Sequence, residues 1–108
     1  MNIKYLLQRV TRGYSDDEVY DLDSALVDWL YPRLCAYRDY DRHGHPASHT
    51  EESWDSCIDC MILALELVIL GSDYWYGDEY SPEMAEEASV NVEHGLRLLG
   101  ENLLSLWD

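Results

Sequence analysis

The run CMILALELVIL, residues 60 to 70, is the most apolar stretch of the chain, and Glu66 interrupts it. It is about half the length that a membrane-spanning helix needs. Read with the residues before it, the stretch has a helical period, with Trp54, Ile58, Met61, Ile62, Leu65 and Ile69 on one face. Thr50 stands where an N-cap belongs, Glu51 and Glu52 suit the positive end of a helix, and Gly71 marks its end. A helix with such a stripe is stable only against further elements, so the rest of the chain has to supply them.

Three other segments carry the same period. About Asn2 to Thr11 places Ile3, Leu6, Leu7 and Val10 on one face before the break at Gly13. About Asp16 to Tyr40 places Val19, Leu22, Leu26, Trp29, Leu30, Leu34 and Tyr37 together. Ser15 with Glu18 reads there as a capping box, and Pro32 predicts a kink or a break, because proline removes a backbone donor and crowds the preceding turn. Ser81 followed by Pro82 starts a last helix to about Leu106, with Met84, Ala88, Val92, Leu96, Leu99, Leu103 and Leu106 inward. No period-two pattern appears. The expected fold is all-α, a single domain over residues 1–108, most simply an antiparallel bundle of about four helices with the second one kinked or broken at Pro32.

Charge narrows the partners. The 108 residues carry 22 acids against 7 bases, for a formal net charge of −15. Six of the bases (Lys4, Arg9, Arg12, Arg33, Arg38 and Arg42) lie in the first 42 residues, and only Arg97 follows. Nucleic acid and anionic membranes are disfavoured, because both require cationic neutralisation. A basic protein surface is the complementary partner. No secretory signal is visible at the start, so a cytoplasmic setting with reduced thiols is expected.

The segment HGHPASHTEESWDSCIDC, residues 43 to 60, raises the question of zinc. His43, His45 and His49 with Cys57 and Cys60 hold enough donors for a tetrahedral site. Against that, the two cysteines sit three apart inside a helix, the spacing matches no familiar zinc pattern, and buried cysteine packs well as a small apolar residue. Neither a cofactor nor a metal is expected, and the metal-binding alternative rests on those five residues. Catalytic motifs are absent as well. There is no Gly-rich phosphate loop and no nucleophile motif, and the carboxylates are too many for any pair to be specific.

RGYSDDEVYDLDSALVDWLYPRL followed by TEESWDSCIDCMILALE resembles a group of small tailed-phage proteins. Their pattern joins an R-G-[YW]-S-D-x-[DE] helix start and a leucine-aspartate pair to a later T-x-E-x-W helix. The matching residues are Arg12, Gly13, Tyr14, Ser15, Asp16, Glu18, Leu22 and Asp23, then Thr50, Glu52, Trp54, Asp59, Met61 and Ile62. The resemblance covers about residues 12 to 66. It implies a phage or prophage setting and carries no activity with it. The pattern does not require cysteine in DSCIDC.

These features predict a non-enzymatic, phage-encoded protein that binds a host protein in the cytoplasm of an infected bacterium. Its acidity suits a DNA-mimic inhibitor of a host defence system, of the anti-CRISPR or anti-restriction type. The alternative is a helical phage structural or accessory interaction protein. The working surface is expected in SDYWYGDEY and the helix start after it, at Asp73, Trp75, Tyr76, Asp78, Glu79, Glu83, Glu86 and Glu87. Aromatic anchors inside an acidic rim are what hot spots facing a basic partner use. The acidic turn Asp16, Asp17, Glu18 and Asp21 is the next candidate. The oligomeric state stays open, a homo-oligomer included.

Overall fold

The computed structural model describes residues 2–40, 42–71 and 81–107. Helix α1 spans Ile3–Arg12, α2 Asp16–Tyr20, α3 Leu22–Asp39, α4 Glu51–Ile69 and α5 Pro82–Asn102, with a short 3₁₀ turn at Leu103–Ser105. The described residues contain no strand, and the fold is all-α.

Local chemistry explains most boundaries. The Asn2 side chain accepts from the Lys4 amide at 2.9 Å and opens α1. Gly13 closes it in the left-handed region (φ 88°), where glycine lacks the Cβ that would clash, and its N–H reaches the Arg9 carbonyl at 3.0 Å. Thr50 and Ser53 cap α4 reciprocally: the Thr50 hydroxyl accepts from the Ser53 amide, and the Ser53 hydroxyl accepts from the Thr50 amide. Ser81 caps α5 through the Met84 amide, with Pro82 in the first turn.

The break in the second segment falls elsewhere than expected. Helix α3 is continuous through Pro32, which stays exposed. The interruption is at Asp21 (φ −126°, ψ 54°), between α2 and α3. Ser15 is the N-cap residue of α2 but makes no side-chain cap bond. Its hydroxyl lies instead between the carboxylates of Asp17 and Glu18. The side chain of Gln8, in α1, takes over the capping. Its carbonyl oxygen accepts from the Asp16 amide at 2.8 Å, and its N–H₂ donates to the Asp16 carboxylate at 2.9 Å.

Helix α4 is the centre of the molecule. Trp54, Ile58, Met61 and Leu65 are buried on it. Val27 and Leu34 of α3 join that cluster, with Leu30, Tyr31 and Tyr37 packed against it. On its other side α4 meets α5 through small residues, Ala64 with Gly95, and Ala88 is buried too. A Cβ at Gly95 would stand 2.5 Å from the Cys60 carbonyl oxygen and would overlap the Ala64 methyl group. Glycine therefore permits the approach of the two backbones. Arg38 of late α3 meets Asp55 and Asp59 of early α4, and Cys57 of early α4 meets Asn102 of late α5, so neighbouring helices run in opposite directions.

Among the described residues, α4 lies between α3 and α5 and carries the main contacts to both, and α1 meets only α2. The molecule measures 46 × 40 × 20 Å with a radius of gyration of 16.5 Å. A compact domain of this length would have about 13 Å.

Several predicted inward faces consequently point outward. Ile3, Leu6, Leu7 and Val10 of α1 are all exposed, as are Val19, Leu22, Leu26 and Trp29 of the next two helices. On α5, Ala88 is buried and Val92, Leu99 and Leu106 are half-buried, but Met84, Leu96 and Leu103 are exposed. Leu96 is 44 % accessible. The reason is the Gly95 contact, because a residue one position along a helix lies about 100° around it. Helix α5 seats its small residues on α4 and leaves leucines at the edges.

Candidate functional site

Of the predicted partner-binding residues, Asp73, Trp75, Tyr76, Asp78 and Glu79 lie outside the described residues. Glu83, Glu86 and Glu87 occupy the first turns of α5, all exposed. Glu83 has a capping role: its carboxylate accepts the Ser81 hydroxyl at 2.9 Å, and its own amide with that hydroxyl holds its proton affinity below the usual glutamate range. Glu87 borders a cleft of about 200 Å³ with Leu63 and Leu67 of α4 and Met84, Ala88 and Asn91 of α5. Further along the same helix Glu93 and Glu101 are exposed too.

The second acidic candidate is electrostatically spent. Arg9 meets Glu18 at 2.7 Å and Asp17 at 3.7 Å, Arg12 meets Asp16 at 2.6 Å, and Lys4 approaches Asp16 at 3.8 Å. The Arg12 hydrogen bond, helped by Gln8, holds the Asp16 carboxyl below its ordinary range, and Arg9 with Ser15 does the same for Glu18. Asp16, Asp17 and Glu18 therefore present little field to a partner. Asp21 is exposed and borders a cleft between the helices with Arg9, Asp28 and Trp29. Arginines of the second cluster are occupied likewise. Arg38 binds Asp59 at 2.8 Å and reaches Asp55 at 3.6 Å, and Arg42 binds Asp55 at 2.5 Å. Among the described residues, the two arginines outside any ion pair are Arg33, which lies over the Trp29 ring, and Arg97.

The histidine and cysteine segment is resolved into separate roles. His49 precedes the N-cap Thr50, and its ring packs on Trp54 with centroids 5.2 Å apart. That pairing is the staple position of a helix start. Its Nδ1 also lies 3.1 Å from the Ser53 hydroxyl of the capping box. His45 Nδ1 lies 2.9 Å from the Pro46 carbonyl. Cys57 is buried at the α4–α5 seam, with the Asn102 side-chain amide 3.7 Å from its sulfur, and burial pushes its thiol pKa up. A raised thiol pKa disfavours the thiolate that metal binding requires. No group of three or more His, Cys, Asp or Glu among the described residues is placed to hold a metal ion.

Sequence reasoning missed two features. One is a polar cleft of about 450 Å³ at the end of α3, lined by Arg38, Arg42, His43, His45, Glu51, Trp54 and Asp55 among others. Two buried nitrogens, Arg42 Nε and Trp54 Nε1, lack a hydrogen-bond partner beside it. Its parts are spread over residues 38 to 55, and no local spacing marks them. The other is the bare apolar face of α1, which the helical period does show but which the sequence assigns to the core. No helix among the described residues is long and apolar enough to cross a membrane. Comparison with protein-family models, with curated proteins and with solved structures finds no match.

Proposed function

We propose that this chain is a non-enzymatic, phage-encoded protein that docks the acidic outer side of α5 on a basic surface of a host protein, as a DNA-mimic inhibitor of a host defence system would. The observation that carries this reading is the fate of the bases. Lys4, Arg9, Arg12, Arg38 and Arg42 meet carboxylates within the chain, whereas Glu83, Glu86, Glu87, Glu93 and Glu101 have no cationic side chain within ion-pair distance among the described residues. The net charge of −15 is therefore concentrated away from the first helices. Those five glutamates span about 27 Å of helix, roughly one charge per 5–7 Å. That is sparser than the phosphates of a DNA strand, at one per about 3.4 Å of axis. The reading is thus a negative field that steers and holds a basic groove, not a phosphate-by-phosphate copy. The resemblance of about residues 12 to 66 to the phage pattern is what suggests the setting.

The test is a salt titration on the isolated host partner. Affinity should fall steeply between about 0.05 and 0.5 M salt, where the Debye length shrinks from over 10 Å to a few ångströms. Charge reversal at Glu86, Glu87 and Glu93 should weaken binding at least about tenfold. An affinity flat in salt and indifferent to those reversals would remove the acidic side of α5 from the interface. It would favour the second reading, a phage structural or accessory protein assembled through the exposed apolar side chains of α1.

A further inference from the structure

We propose that α1 is the surface through which two copies of this chain pair. This inference is independent of the acidic side of α5 and concerns a different helix. Helix α1 is amphipathic, and its polar side is the docked one. Lys4, Gln8, Arg9 and Arg12 hold the carboxylates of α2, so Ile3, Leu6, Leu7 and Val10 are turned to solvent at 44 to 77 % accessibility. Among the described residues, no element besides α2 packs on α1. A short helix kept folded with its apolar stripe outward is built to be covered by something beyond its own chain.

Charge selects the occupant. The hairpin of α1 and α2 sets three bases, Lys4, Arg9 and Arg12, against three acids, Asp16, Asp17 and Glu18, and is locally neutral. It is the place where two chains of net charge −15 meet with least repulsion. A basic protein would be drawn to α5 instead. An anionic membrane would find the cations of α1 already paired and the rest of the chain repelling it. A stripe spaced at 3, 6/7 and 10 is also its own complement under a twofold axis.

The four α1 side chains expose about 400 Å² per copy, so a symmetric pair would bury on the order of 800 Å², the size of a small, reversible interface. The thin, extended protomer is consistent with a unit completed by a second copy.

The experiment is sedimentation equilibrium of the full chain between about 1 and 100 µM, a range that brackets micromolar dissociation constants. The expected result is a particle of twice 12.6 kDa at the upper end, strengthened by added salt because screening relieves the net repulsion. Leu7→Glu and Val10→Glu should each give the 12.6 kDa species with unchanged helicity, since neither side chain touches the core. Val90→Glu, at an exposed apolar position of α5, should leave the pair intact. A monomeric wild type overturns the proposal, as does a pair that survives both α1 variants or one that Val90→Glu dissolves. Wild-type monomers that co-sediment with phosphatidylglycerol vesicles through Leu7 would likewise replace it with a membrane surface.

Discussion

The seam between α4 and α5 and the hairpin of α1 and α2 join helices by opposite means. At the seam the contact residues are small, buried and uncharged, and a glycine lets two backbones touch. At the hairpin the contact is a lattice of ion pairs and one side-chain amide, and none of the residues of α1 is buried. Buried close packing gains from every excluded water, whereas exposed ion pairs exchange one hydrated state for another at little net gain. The first contact therefore defines the fold, and the second sets only where α1 lies and which of its faces is presented.

The sharpest break of this contrast is at Trp54, which is fully buried at the start of α4. Trp54→Ala should cost about 3–5 kcal/mol by chemical denaturation, the range of large aromatic truncations in a core. Trp54→Phe should recover much of that, because the indole N–H it deletes has no partner. If alanine moved the transition by less than about 1 kcal/mol, α4 would not be the centre of the molecule.

Gly95 and Leu96 then separate the seam from its edge. Alanine at an ordinary helical glycine stabilises by up to about 1 kcal/mol. At Gly95 the added methyl meets the Cys60 carbonyl, which is backbone and cannot swing away, so the helices must separate. The expected net loss is about 1–3 kcal/mol, as for overpacked cores. The neighbouring Leu96→Ala should cost less than about 1 kcal/mol, because that side chain is nearly half accessible. The reverse order, with Leu96 the costlier position, would restore the leucine-inward phase that the sequence suggests.

That pair also shows what was legible in the sequence. Helix existence and most caps were readable, because Thr50, Ser81–Pro82 and Gly13 act through their own local backbone. The central face of α4 was readable because burial of Trp54, Ile58, Met61 and Leu65 follows one period. The phase of α5 was not, since a hydrophobicity count favours leucine, while the deciding contact uses the absence of a side chain at Gly95. The facing of α1 was not readable either. An apolar stripe tells that a helix has a side to cover, but not whether its own chain covers it. Of the candidate site, Glu83, Glu86 and Glu87 are exposed on α5, while Asp16, Asp17 and Glu18 are consumed by arginines from the preceding helix.

The smallest expected effect tests the ionic half of the contrast. Asp16 and Glu18 have folded pKa values held below their ordinary ones, by Arg12 with Gln8 and by Arg9 with Ser15 respectively. For a carboxylate depressed in the folded state, the stabilisation is complete above the unfolded value. It is lost as pH falls through the folded value. Docking of α1 on α2 should accordingly be unchanged from pH 7 down to about 5. It should weaken once the ordinary carboxylate range near pH 4 is entered and be lost below it. Amide hydrogen exchange reads this directly. Protection of α1 should drop in that acid window, and the amides of α4 and α5 should stay protected until global unfolding. Arg9→Ala with Arg12→Ala should reproduce the loss at pH 7 while leaving the melting temperature nearly unmoved, because α1 contributes nothing to the buried cluster. If α1 kept its protection in that double variant, contacts other than the ion pairs would be holding it. If α4 and α5 lost theirs together with α1, the two halves would form one cooperative unit, and the division between seam and hairpin would fail.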